Sequence, residues 1–152
     1  YQQINKERYA QYMANTLRSP SYISLEYILA KESLIPEGVF SLTSITVKSS
    51  RIFRNFLGTF IFQNIKERLF TGYREEMWEG KIIRRASKVK AFFDFLYLKK
   101  LSNIEAEITT DLRINWENFS DTDFSEFKEY VTLSKSKKMM RIADIIQKSY
   151  VS

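Results

Sequence analysis

The spacing of apolar residues changes twice along this chain, and those two changes limit its fold more than any other feature. Near the start, apolar residues fall loosely on one side at helical spacing, as at Ile4, Tyr9, Tyr12 and Met13. In the middle the period drops to two: Thr43, Ile45 and Val47 alternate with Ser44, Thr46 and Lys48. From Ser87 onward the helical period returns, with Val89, Phe92, Phe93 and Leu96 at i, i+3, i+4 and i+7. Helices at both ends of a strand-rich centre predict an α+β domain.

The first helix is expected over about Ile4–Leu17 and the second over about Ser21–Leu34, with Pro20 near its first turn. Ser21 and Ser24 both suit an N-cap, and Leu25, Ile28 and Leu29 form the buried stripe. Ile35 precedes Pro36, which ends the helix. The segments "SLTSITVKSS", "RIFR", "TFIFQNI", "YREEM" and "KIIRRA" carry the alternation. Turns are expected at Asn55–Gly58 and at Trp78-Glu79-Gly80. They predict a small, mainly antiparallel sheet of about four strands, flanked by the N-terminal and C-terminal helices, with one wet face on the Thr43–Val47 strand. Ser87 caps the long helix, which should lie on the sheet. "IEAEITTDLRINWE" reads either way, since Leu112, Ile114 and Trp116 alternate. Two helices close the chain, capped at Asp121 or Asp123 and at Ser134.

A chain of 152 residues suffices for one domain with a core of its own, burying roughly 70% of the surface that its unfolded form exposes. It contains no Cys and no His. Thiol nucleophiles, Ser-His and Cys-His couples, and His/Cys zinc sites are thereby excluded. No apolar run approaches the roughly 18 residues of a membrane helix, and no signal peptide is evident. We therefore expect a cytoplasmic protein with no membrane association, no cofactor and no small-molecule substrate. The absence of an initiating Met suggests a domain excised from a longer chain.

Five segments together resemble the AbiEi antitoxin family: "RSPSYISLEYILAKESLIPE", "TSITVKSSR", "LGTFIFQNIKERLFTGY", "RASKVKAFFDFLYL" and "LRINWE", in that order. The similarity spans roughly Ala14 to Asn115. It implies a single antitoxin C-terminal domain over residues 1–152, without the N-terminal winged-helix domain that binds operator DNA in that family. A short standalone member is the alternative. The functional partner implied is a nucleotidyltransferase-like toxin of a phage-defence locus, with DNA reached through a separate winged-helix domain. The resemblance implies a non-enzymatic role that extends to transcriptional autoregulation. One departure matters. The family pattern before the long helix reads Ala-Ser-Pro-Glu-Lys-Ala and then Asp, whereas this chain has Lys88 and Val89 at the Pro and Glu positions. Lys90 and Asp94 keep the family's Lys and Asp.

On these segments Arg18, Tyr22, Glu26, Lys90 and Asp94 are the expected partner-binding groups, read as exposed. Tyr97 and Arg113 are expected near Lys90 and Asp94. A competing reading packs Tyr22 and Tyr27 at the margin of the core. A different class of function, nucleic-acid binding, rests on the excess of 24 Lys and Arg over 18 Asp and Glu. Its groups are Arg84, Arg85 and Lys88 before the long helix, and Lys135, Lys137, Lys138 and Arg141 at the start of the last one. Cations at a helix N-terminus oppose its dipole, which hints at a use such as phosphate contact. An E-x-K at Glu79-Gly80-Lys81 resembles a nuclease element, but its Trp-Glu-Gly context reads as a plain turn.

Overall fold

The computed structural model describes residues 2–151, with side chains from residue 5 to residue 151, so that the Ile4 side chain lies outside the described residues. Helix α1 spans Gln2–Leu17. The chain then differs from expectation. Ser21–Ile23 is a strand, β1, and the second helix, α2, is confined to Leu25–Lys31. Three residues are too few for a period to register. Both faces of β1 are also buried, so no polar alternation marks it. Strand turns into helix with no loop between, and Leu25 takes a positive φ of 64° to make that turn.

Strands β2 (Leu42–Thr46), β3 (Arg51–Asn55), β4 (Gly58–Asn64), β5 (Tyr73–Trp78) and β6 (Lys81–Ala86) follow. The sheet has six strands in the order β3-β4-β2-β1-β6-β5, and it is mixed. This corrects the expected sheet of about four mainly antiparallel strands. The two hairpins β3–β4 and β5–β6 form where expected, the second through Glu79 and Gly80, both with positive φ as a type I′ turn requires. Each hairpin returns its second strand parallel to a central one: β4 runs beside β2, and β6 beside β1. Central strands are covered on both faces, so every residue of β2 is buried and the expected wet face does not exist.

Helix α1 packs along β1 and β6, where the Asn15 side chain takes both backbone groups of Arg84: its Nδ2 donates to the carbonyl at 3.3 Å, and its Oδ1 accepts from the N–H at 2.6 Å. Helix α3 spans Lys88–Leu98, capped by Ser87 as expected, with Ser87 Oγ accepting from the Lys90 N–H. It is core, but its aromatic neighbours are mostly not strands. Phe92 packs against Trp116, Phe119 and Phe127, and Phe93 against Tyr97, Phe127 and Tyr130. The ambiguous segment holds no strand: one α turn at Ile104–Ala106 (α4) and a π turn at Glu107–Asp111 lead into a turn and irregular chain over 112–115 and a 3-10 turn at Trp116–Asn118. Helix α5 (Asp121–Ser134) is capped by Ser120 in a reciprocal box with Asp123, and α6 (Lys137–Tyr150) by Ser136 rather than Ser134. Among the described residues no helix is long and apolar enough to cross a membrane.

Candidate functional site

Helix α3 is almost continuously apolar from Val89 to Leu96, and a helix apolar all round must be buried. Lys90 and Asp94 are set within that run, and both are 0% exposed. The expectation that they lie at the surface is therefore corrected. Their spacing of four residues puts them on one side of the helix, where Lys90 Nζ meets Asp94 Oδ1 at 2.5 Å.

The rest of the cluster comes from β1 and its exit. Tyr22, also fully buried, accepts a hydrogen bond from Lys90 Nζ at 2.8 Å and donates one to Asp94 Oδ2 at 2.8 Å. Ser24 Oγ donates to the same carboxylate oxygen at 2.8 Å. The third ammonium proton goes to the Leu69 carbonyl at 2.8 Å. All three donors of Lys90 are thus used, and both carboxylate oxygens of Asp94 are paired. Such closure is what makes a buried charge pair tolerable.

Aromatic rings seal the cluster. The ammonium lies 5.3 to 5.7 Å from the ring centres of Tyr22, Phe93 and Tyr130. Tyr22 stacks on Tyr73 at 5.0 Å and meets Phe70 edge-on. Gly72, with φ of +77°, closes the remaining side: a Cβ there would come within 2.6 Å of Tyr130 Oη and 2.8 Å of Lys90 Cγ. Burial pushes the Lys90 ammonium down from its usual range and the Asp94 carboxyl up, and the attraction between them opposes both shifts. Burial, with the Asp94 charge beside it, drives the Tyr22 phenol well above the usual value.

Ser24 follows from this arrangement. It occupies the N-cap position of α2, but its hydroxyl is committed to Asp94 and makes no cap bond. Thr43 of β2 caps instead, its Oγ1 accepting from the Tyr27 N–H at 3.0 Å and donating to the Ser24 carbonyl at 2.6 Å. The other expected partner groups lie elsewhere. Arg18 binds the carbonyl and hydroxyl of Ser49, at 2.9 and 2.7 Å. Glu26, half-buried, lines an open cavity of about 500 Å³ with Phe40, Phe95, Lys99 and Asp111. The five residues do not form one surface. Tyr97 stacks on Phe93, and Arg113 pairs with Glu37 at 3.0 Å, so neither joins the cluster.

The basic groups divide in two. Arg84 pairs with Glu75 at 2.9 Å, Arg85 with Glu32 at 3.6 Å, and Lys88 with Asp123 at 2.9 Å. Lys138 donates to the carbonyls of Tyr97 and Lys99, so it holds the C-terminal end of α3. Lys135, Lys137 and Arg141 are exposed. Sequence reasoning missed Ser24 and Leu69 as members of the cluster. It also missed the signal in α3, where a Lys and an Asp sit inside a stretch with no other polar residue. Comparison with family models, curated proteins and solved structures returned no significant match.

Proposed function

We propose that this chain is a non-enzymatic antitoxin domain of the AbiEi type, counteracting a nucleotidyltransferase-like toxin. The observation that supports this reading is where the family-like segments meet. "SPSYIS" supplies Tyr22 and Ser24, "KERLFTGY" supplies Leu69, Gly72 and Tyr73, and "RASKVKAFFD" supplies Lys90 and Asp94. Residues far apart in sequence converge on one closed network. The resemblance is thus carried by the part of the chain that specifies the fold, and function falls to surfaces outside it. Arg18 and Glu26 are the two expected partner groups that remain at least partly accessible.

The experiment is co-expression of the chain with a nucleotidyltransferase-like toxin from its own locus, scored by relief of growth arrest. Relief by the intact chain supports the reading, and its absence with folded protein present overturns it. Glu26→Ala should weaken relief while leaving the folded fraction unchanged. The second reading, nucleic-acid binding by the start of α6, rests on the exposure of Lys135, Lys137 and Arg141. It predicts affinity for duplex DNA that falls steeply with salt.

A further inference from the structure

The two edges of the sheet are built differently. At one edge, β5 carries both signs of charge, and its acids are used internally: Glu75 pairs with Arg84, and Glu76 with Arg8 of α1. At the other edge, β3 carries Arg51 and Arg54, both exposed. There is no Asp or Glu between Glu37 and Glu67, while Lys48, Arg51, Arg54 and Lys66 all fall in that interval. Among the described residues, none of these four cations is in an ion pair with a carboxylate. Apolar groups accompany them: Ile52 is 50% exposed, and Phe56, at the hairpin tip, is 88% exposed.

The backbone of this edge is open as well. Asn55 faces Gly58 across a two-residue turn, so Arg51, Phe53 and Asn55 occupy the hydrogen-bonded positions against β4. Ile52 and Arg54 therefore direct their N–H and C=O groups outward. No bulge or proline interrupts the strand.

We infer that the β3 edge is a docking site for an extended acidic segment of a partner protein, added to the sheet as a seventh strand antiparallel or parallel to β3. A strand meets the outward donors and acceptors of Ile52 and Arg54 alike, whereas phosphates accept only and leave the carbonyls unmet. The Phe53 ring is not free to stack on a base, since Arg51 lies 4.8 Å above it and Phe62 meets it edge-on. A second copy of this chain would bring together two edges that carry arginines and lysines and no carboxylate, so the cations of both copies would gather with nothing to neutralise them. Arg51 and Arg54 are three residues apart and so lie on opposite faces of the sheet, with Ile52 on the face of Arg54. An incoming strand that meets both carries carboxylates three positions apart, one on each of its faces, with an apolar residue beside Ile52.

The test is binding of labelled peptides to the 152-residue chain, followed by anisotropy and by amide chemical shifts. The probes are a Glu-Val heptapeptide with its two Glu three positions apart (Val-Glu-Val-Val-Glu-Val-Val), its Lys-Val counterpart and a single-stranded oligouridine. The Glu-Val peptide should bind and shift the amides of Ile52 and Arg54, and the Lys-Val peptide should not. Reversing both charges (Arg51→Glu with Arg54→Glu) should weaken Glu-Val binding at least about tenfold and invert the preference. Ile52→Pro removes an outward N–H without touching the β4 ladder, and should abolish binding while thermal unfolding shows the chain still folded. Binding that survives Ile52→Pro overturns strand addition, as does a shift pattern away from β3. Oligouridine binding without peptide binding overturns the assignment in favour of nucleic acid. Dimerisation through β3 in sedimentation overturns it in favour of a second copy.

Discussion

Lys90, Asp94 and Tyr22 show how far burial changes the meaning of a charged side chain. On an exposed helix an i, i+4 pair contributes about 0.3–0.5 kcal/mol. Buried at 0% exposure, each charge depends on the other. Lys90→Met or Asp94→Ala alone should destabilise by about 3–5 kcal/mol, since each strands a buried charge. The double replacement Lys90→Met with Asp94→Leu should cost far less, or even stabilise. Denaturant unfolding of the three variants checks this, and additive losses would show that the two groups are not coupled. The sign of the pH effect follows from the shifts. The raised Asp94 value favours the folded state most below its unfolded value of about 3.9, and that benefit is lost as pH rises through the folded value. The lowered Lys90 value favours it most above about 10.4, and that benefit is lost as pH falls through the folded value. The double variant should therefore remove both dependences from its stability profile.

At the scale of elements, α3 is the pillar of the fold. Phe92 touches Trp116, Phe119 and Phe127, so Phe92→Ala should cost about 3–5 kcal/mol through a cavity that three rigid rings cannot fill. A shift below about 1 kcal/mol in denaturant unfolding, against that range, would mean that the ring cluster does not hold the helix. Gly72→Ala should cost about 2–5 kcal/mol, from a positive φ together with overlap onto Tyr130 and Lys90. Gly80 has nearly the same φ but open space around it, so Gly80→Ala isolates the backbone part and should cost less. The start of α5 carries its own pH signature. Burial pulls the Asp123 carboxyl up, but the Ser120 N–H and Lys88 outweigh it and hold the group below its usual range. Its stabilisation is complete above about 3.9 and is lost as pH falls through the lower folded value. Asp123→Asn should flatten the acid limb of the unfolding profile measured by circular dichroism. Lys138 is a structural group here, so Lys138→Ala should fray the end of α3 rather than act as a neutral surface change.

Over the whole molecule, a formal charge of +6 gives a free basic face at only part of the groups first singled out, namely Lys135, Lys137 and Arg141. Arg84, Arg85 and Lys88 are paired, and Lys138 is held by carbonyls. Gel retardation on duplex DNA at physiological salt should show only weak binding without sequence preference, and the triple change to Ala at Lys135, Lys137 and Arg141 should remove most of it. Tight, sequence-specific retention would favour the nucleic-acid reading over the antitoxin one. Near the sheet, Lys48, Arg51, Arg54 and Lys66 gather on the β3 side in a stretch without Asp or Glu, while Arg74 and Lys81 lie on the β5 side beside Glu75 and Glu76. The molecule is therefore asymmetric: the acids of the β5 edge pair within the chain, whereas the β3 edge carries cations and no acid.

Much of this was legible in the sequence because it is local. Periods of 3.6 and 2 show through at α1, β3, β4, β5 and β6, since a half-buried element leaves its polar residues in register, while α3 shows as an apolar run at helical spacing although it is buried all round. Ser87 and the Glu79-Gly80 turn act through neighbours a few residues away. The absence of Cys and His excluded whole chemistries before any fold was known. Only the tertiary structure decided the rest. Strand β1 had no pattern to show, being short and buried on both faces. Strand order and the parallel pairs depend on where the two hairpins dock, which no local period encodes. The Lys90–Asp94–Tyr22–Ser24 network joins residues up to 72 positions apart. Spacing alone gives a lysine and an aspartate one turn apart, and only the rings packed around them turn an ordinary surface pair into a sealed charge cluster.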